Sequence, residues 1–230
     1  MKTFIIGDVH GCAKALNRLI DKLQPDSAED RLIFLGDLFD RGPNSYEVLQ
    51  TVKALYRAYR ERFVLLRGNH EDYLLQEKLS FMQRIVWERV GRSATVSSFK
   101  KHGKAMEDSR PWLKKHCLMY FIGENFQCAH AGILTEPIEV NDAHTLLHDH
   151  DIVLQNRYRG RLTVTGHIAL HSAKWFAGDG KTVQSMEYSQ WLELPKNGIL
   201  CIDTGCGKGG RLTGMIIDEG ACRLESVPEE

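Results

Sequence analysis

The sequence has no charge bias, no paired-cysteine motif, no long apolar run at its start and no low-complexity segment. Lys plus Arg and Asp plus Glu stand at 30 each in 230 residues. No net field therefore draws the molecule toward nucleic acid, an anionic membrane or a basic partner, and any charge selectivity is local. The cysteines (Cys12, Cys117, Cys128, Cys201, Cys206 and Cys222) include no Cys-x-x-Cys pair and no dense framework. A disulfide scaffold is excluded, and free thiols in a reducing compartment are expected. The opening apolar stretch is only a few residues long and meets Gly7-Asp8 at once, which excludes a signal-peptide core and a membrane span there. A cytoplasmic location is the expectation. With no internal repeat, no linker and 43% hydrophobic residues, residues 1–230 are expected to form one domain around a well-buried core.

What is present is a regular alternation. Short apolar runs at Thr3 to Ile6, Leu32 to Leu35 and Phe63 to Leu66 read as strands. They are separated by helical patterns at Ala13 to Leu23 and Tyr46 to Tyr59, where Leu16, Leu19, Ile20 and Leu23 recur at helical spacing. That is βαβαβ, with parallel strands buried on both faces. Residues 72–117 interleave long charged side chains with Leu74, Leu75, Leu79, Met82, Ile85, Val86 and Trp87 and predict an inserted helical cap. Strands follow at Leu118 to Ile122, Asn125 to Ala129, Leu162 to Thr165, Ile199 to Ile202, Thr213 to Ile217 and Cys222 to Val227, with a helical or irregular stretch before Leu162. This half is expected to build a second sheet.

Polar residues cluster just after the strands: Gly-Asp-Val-His-Gly at 7–11, Gly-Asp-Leu-Phe-Asp-Arg-Gly at 36–42 and Gly-Asn-His-Glu at 68–71. Asp8 and His10 are two residues apart and can share one ion. In open α/β folds, ligands lie beyond the carboxyl ends of the strands, so Asp37, Asp40, Arg41, Asn69 and His70 converge there as well. His130 in Cys-Ala-His-Ala-Gly and His167 in Val-Thr-Gly-His-Ile add imidazoles at later strand ends. Carboxylate and amide oxygens mixed with imidazoles suit Mn, Fe or Zn better than Mg. A bridging carboxylate would set two ions roughly 3.5 to 4 Å apart, the spacing used for in-line displacement at phosphorus.

Taken in order, GDVHG, GDLFDRG, LLRGNHE, AHAG and TGH resemble the calcineurin-like metallophosphoesterases. Within them the resemblance is to the phosphoprotein-phosphatase branch, with its bacterial and phage serine/threonine phosphatases and the related symmetrical diadenosine tetraphosphatases. It implies a four-layer αββα sandwich with a helical cap insertion, and two divalent metal ions, manganese first. By that resemblance Asp8, His10 and Asp37 would hold one ion and Asp37, Asn69, His130 and His167 the other, with Asp37 as the bridge. His70 would be the general acid, oriented by Asp40. Arg41 and Arg67 would clamp phosphate, and Arg157, preferred to Arg159, would be the third arginine. A water activated between the ions would attack in line. The implied substrates are phosphoserine and phosphothreonine in proteins or peptides, or a small phosphoester. The alternative is symmetrical cleavage of diadenosine tetraphosphate into two ADP molecules, for which Tyr73, Phe81, Trp87 and Trp112 are the stacking candidates. Neither nucleic acid nor a membrane is an expected partner, and oligomeric state has no signature in the sequence.

Plainer readings compete with these. Asp and Asn after strands commonly cap turns, and an isolated His130 would be a core histidine. His144, His148 and His150 read as a solvated rim. The Gly205 to Gly210 loop contains Gly-Lys, yet no Ser or Thr follows Lys208, so the phosphate-loop reading fails. The segment from Cys201 to Gly207 resembles the loop that overhangs the metals in the family. A metal-binding module without catalysis would lack the acid and the clamps, and His70, Asp40, Arg41 and Arg67 are all present.

Overall fold

The computed structural model describes residues 1–229. Its first half follows from the apolar runs: β1 (Thr3–Ile6), β2 (Arg31–Phe34) and β3 (Phe63–Leu66) are parallel neighbours, joined by α1 (Ala13–Leu23) and α2 (Ser45–Tyr59). Successive side chains of a strand face opposite sides, and here both sides are covered. Phe4, Ile6, Leu32, Phe34 and Leu65 enter an outer core with Leu16, Leu19, Val48 and Val52 of the two helices. Ile5, Ile33, Val64 and Leu66 enter a second core against Phe126, Cys128, Val164 and Leu200. α1 stops where Gln24 turns left-handed, with φ 50°, ahead of Pro25.

The cap is helical as expected: α3 (Asn69–Leu75), α4 (Phe81–Arg89), α5 (Arg92–Lys101) and α6 (Arg110–His116). It starts earlier than residue 72, so Asn69 and His70 occupy the first turn of a helix rather than a loop. Ser80 caps α4, its hydroxyl accepting from the Gln83 amide at 3.2 Å while the Gln83 side chain accepts from the Ser80 amide at 2.8 Å. Tyr73, Leu74, Trp87, Phe99, Met106 and Leu113 join the same outer core as α1 and α2.

The second half departs from expectation in three places. The single strand expected over Leu118 to Ile122 is divided: β4 (Cys117–Leu118) pairs with β3, and β5 (Tyr120–Ile122) pairs with β6 (Gln127–Ala129). One apolar run thus serves two sheets, with Met119 between them. After α7 (Ala143–Leu147), α8 (Asp151–Leu154) and β7 (Thr163–Thr165) come β8 (Lys174–Phe176), β9 (Val183–Ser185) and β10 (Trp191–Glu193). These have three residues each, and β9 is exposed throughout, so they carry no apolar run to read. Beyond β11 (Ile199–Cys201), the hairpin of β12 (Arg211–Asp218) and β13 (Ala221–Pro228) joins the first sheet, antiparallel to β1, not the second. The sheet orders are β10-β13-β12-β1-β2-β3-β4 and β5-β6-β7-β11-β8-β9. A third core packs α7 and α8, through Leu146, Leu147, Ile152 and Val153, on Ala129, Ile199 and Cys201 of the second sheet. Three cores separate four layers, the αββα sandwich.

Gly214 of β12 brings α1 close to the sheet: a Cβ there would sit 2.8 Å from Leu23 Cδ1 and 3.2 Å from Leu19 Cδ2. Leu19 is fully buried. Leu19→Ala is therefore expected to lower the unfolding free energy by about 2–5 kcal/mol in a urea titration; an unchanged midpoint would contradict this packing.

Candidate metal centre

The loops after β1, β2, β6 and β7 deliver Asp8, His10, Asp37, His130 and His167 to one edge of the sandwich, and the first turn of α3, just after β3, brings Asn69 and His70 there. β1, β2 and β3 are parallel, as are β6 and β7, so their carboxyl ends open on the same side within each sheet. The turns are tight. His10, Asp37, Asp40, Arg41 and His167 all have left-handed backbones, with φ of 46°, 48°, 69°, 67° and 65°, a conformation that side chains with a Cβ rarely hold without support. Two glycines let the carboxylates come close. A Cβ on Gly68 would lie 2.1 Å from Asp37 Oδ1, and one on Gly166 would lie 1.9 Å from Asp8 Oδ1.

Asp37 is the focus. Its Oδ2 lies 3.6 Å from His10 Nε2, 3.8 Å from His70 Nε2 and 3.4 Å from His130 Nε2. Two donor groups therefore share it, His10-Asp37-His70 and Asp37-His130-His167, with ligand atoms in each within 4.8 Å of one another. Asn69 Oδ1 lies 3.0 Å from both His130 Nε2 and His167 Nδ1. Backbone carbonyls set the tautomers: His10 Nδ1 bonds to the Phe39 carbonyl at 2.8 Å, His130 Nδ1 to Leu35 at 2.9 Å and His167 Nε2 to His148 at 3.2 Å. In His10 and His167 the opposite nitrogen then turns its lone pair inward, whereas the carboxylates around His130 favour a proton on its inward Nε2. Lone pairs facing carboxylate and amide oxygens repel unless a cation or a proton lies between them.

The charges agree with that geometry. Burial would raise the Asp37 carboxyl, but the imidazoles of His130 and His70 overcome it and hold Asp37 well below the carboxylate range. Burial disfavours charge on His130, yet Asp37 and Asp8 push its pKa up to about 10. His10 and His167 are driven well below the usual histidine value by burial first, then by the neighbouring His70 and His130 respectively. Asp8 is raised well above its usual range by burial and by Asp203. Its Oδ2 accepts from the His167 amide at 2.9 Å, and its Oδ1 is buried without a hydrogen-bond partner among the described residues. An unpaired buried carboxylate oxygen beside inward lone pairs is the donor set a divalent cation fits.

Sequence reading missed two acids here. Glu71 is fully buried and accepts from the amides of Asp37, Leu38 and Gly68 at 2.8, 2.8 and 3.0 Å, fixing the Asp37 loop. Burial and the Asp37 charge raise its pKa to about 7. Its position in Gly-Asn-His-Glu was the available signal. Asp203, 3% exposed, couples to Asp8 from the loop after β11.

His70 faces Asp37 with Nε2, and its Nδ1 lies 2.6 Å from Asp40 Oδ2. Burial opposes its charge, but Asp37 and the Asp40 hydrogen bond raise its pKa. Arg41 Nε donates to His10 Nε2 at 3.2 Å. Arg67 Nη1 pairs with Asp72 at 3.3 Å, and its Nε is buried with no partner among the described residues. Arg157 is exposed, between the buried Asn156 and Tyr158. Arg159 donates to the Asn156 and Tyr158 carbonyls. The His144 to His150 segment reaches the rim, His148 through its carbonyl and the His150 ring at 4.3 Å from that of His167. Of the stacking candidates, Tyr73 and Trp87 stack on each other at 5.9 Å, Trp112 packs on Tyr56, and Phe81 is exposed. No helix among the described residues is long and apolar enough to cross a membrane.

Residues 1–200 match the model of the family described as calcineurin-like phosphoesterase. A Pseudomonas fluorescens protein named bis(5'-nucleosyl)-tetraphosphatase, symmetrical, is 28% identical over 98% of this chain and 96% of its own length. A Coxiella burnetii protein of the same name is 34% identical over 65% of this chain and 47% of its own. Among solved structures, a metallophosphoesterase from Sphaerobacter thermophilus superposes with a TM-score of 0.65 at 19% identity, covering 99% of this chain and 88% of that one.

A histidine must be deprotonated to hold a metal, and the carboxylates of Asp37 and Asp8 favour a proton on His130. Titration with Mn²⁺ at pH 7 in two buffers of different ionisation enthalpy is expected to show a net release of protons on binding; an equal heat in both would remove this account of His130. At a hundredfold excess over its Kd, Mn²⁺ should stabilise the fold by about 2.7 kcal/mol, and Asp37→Asn should abolish most of that gain in a thermal melt.

Proposed function

The chain belongs to the calcineurin-like phosphoesterase family, and we propose that it hydrolyses dinucleoside tetraphosphates symmetrically at a two-metal centre, giving two nucleoside diphosphates. The observation that carries the chemistry is the pair of donor groups sharing the Asp37 carboxylate. The substrate choice is supported by the name of the Pseudomonas fluorescens relative, which aligns over almost the whole of both chains. That support favours the dinucleotide over the phosphoserine and phosphothreonine substrates expected first from sequence.

In this reading Asp8, His10 and Asp37 hold one ion and Asp37, Asn69, His130 and His167 the other, with manganese the first choice. His70 itself belongs to the donor group formed by His10 and Asp37, with Asp8 here taking its place on the ion and His70 kept for the proton. Bound, the metal pair supplies a water of lowered pKa and offsets charge on the phosphoryl oxygens. The rest belongs to the chain. Arg67 offers its unpaired Nε, and Arg41 lies beside His10 and His70; planar guanidinium donors suit non-bridging phosphoryl oxygens. His70 keeps Nδ1–H on Asp40, which leaves Nε2–H to protonate the departing phosphate oxygen of the nucleoside diphosphate.

The test is product chromatography after incubating the Mn²⁺-loaded enzyme with diadenosine tetraphosphate. ADP as the sole nucleotide product is expected, whereas ATP with AMP, or faster phosphate release from a phosphoserine peptide, would defeat the substrate assignment. His70→Asn should reduce kcat by roughly 10²–10⁴ without abolishing Mn²⁺ binding, and a fully active variant would defeat the proton-donor role.

A further inference from the structure

We propose that the cap is part of the proton-donating apparatus: through Trp87, Gly91 and Thr95 it positions Asp40, and Asp40 positions His70. This rests on the reading of His70 as the proton donor. Asp40 is 1% exposed, and its carboxylate is fully engaged. Oδ2 accepts from His70 Nδ1 at 2.6 Å and from Trp87 Nε1 on α4 at 2.7 Å. Oδ1 accepts from the Thr95 hydroxyl on α5 at 2.7 Å. The Asp40 amide donates back to Thr95 Oγ1 at 2.8 Å. Since the one proton of Thr95 is committed to Asp40, the contact of Thr95 Oγ1 with Ser45 Oγ at 3.1 Å must be donated by Ser45. The donors therefore converge on the Asp40 carboxylate, from Ser45 through Thr95 on one side and from His70 and Trp87 on the other.

The same turn of the cap bears on the backbone. Asp40 and Arg41 hold left-handed φ angles of 69° and 67°, which cost energy unless neighbours enforce them. Gly91, between α4 and α5, presses on that dipeptide: a Cβ on it would stand 2.3 Å from the Arg41 nitrogen and 2.8 Å from its Cα. A side chain there would push Arg41 and Asp40 away. A carboxylate holding one imidazole needs no more than one oxygen for it. Two further side-chain donors from cap helices fix the carboxylate plane, and hence the direction in which His70 Nε2 points. Trp87 also ties this to the outside of the cap, since it lines a cavity of about 350 Å³ with Arg84, Arg92 and Arg110.

Trp87→Phe removes the indole N–H and keeps a ring, Thr95→Val removes the hydroxyl at constant shape, and Thr95→Ser restores it. The readout is kcat of the Mn²⁺-loaded enzyme on p-nitrophenyl phosphate, whose leaving group needs no proton, and on phenyl phosphate, whose leaving group does. Trp87→Phe, Thr95→Val and the control Asp40→Asn are expected to lose about tenfold or more on phenyl phosphate and less than about threefold on p-nitrophenyl phosphate, with KM little changed and Thr95→Ser close to the parent. The downfield proton resonance of His70 Nδ1, assigned by its loss in His70→Asn, should move in both cap variants without any metal present. If Asp40→Asn shows the selective loss while Trp87→Phe and Thr95→Val do not, the cap role falls and the proton donor stands. If Asp40→Asn loses both substrates equally, the proton-donor reading falls and takes this inference with it. Should Trp87→Phe unfold, the Thr95→Val and Thr95→Ser pair decides, and equal damage in both overturns the hydrogen-bond role.

Discussion

The carboxylate of Asp37, 2% exposed, sits within 3.8 Å of imidazole nitrogens from residues 10, 70 and 130. A buried charge is costly unless paired and hydrogen-bonded, and most of the surrounding architecture answers that requirement. Glu71 binds the amides of Asp37 and Leu38. The Asp37 carbonyl accepts from Val9 and His10, and the Leu38 carbonyl accepts from Gly11. Asp37 Oδ1 accepts from the His70 amide at 3.0 Å. The segments after the first three strands are thereby laced to one another, and the side chains they carry are held together.

This interlocking explains which parts of the site could be read from the sequence. Asp8, His10, Asp37, Asn69, His70, His130 and His167 each lie in a short motif behind an apolar run, and parallel strands must bring such motifs together. The first three strands and two helices were legible for the same reason, their apolar side chains being dictated by burial on both faces. Groups that act from a distance had no such signature. His148 orients His167 by a backbone carbonyl, and Trp87 and Thr95 reach Asp40 from helices about fifty residues on. Arg157, chosen by resemblance as the arginine between the last two histidines, is exposed between the buried Asn156 and Tyr158. The division of the chain at Met119 and the return of the last hairpin to the first sheet are decided by pairing partners, not by local pattern.

The cap shows how an insertion becomes integral. Its apolar side chains, Tyr73, Leu74, Trp87 and Phe99, extend the core begun by α1 and α2. Its polar ones end on Asp40. Burial fixes where α4 and α5 lie, and that placement in turn aims two donors at one carboxylate. Packing and site geometry are here one constraint: a change that shifts the core beneath Trp87 also shifts the direction of its N–H.

The lengths of the strands have a further consequence. β12 and β13, with eight residues each, lie inside the first sheet, whereas the outermost strands β4, β5, β9 and β10 have only two or three. An open strand flank is a template on which a foreign chain can add itself, and the hazard grows with the number of free amides and carbonyls in a row. Flanks this short present too few to seed aggregation, so a sandwich of two open sheets can persist in a crowded solution without closing into a barrel.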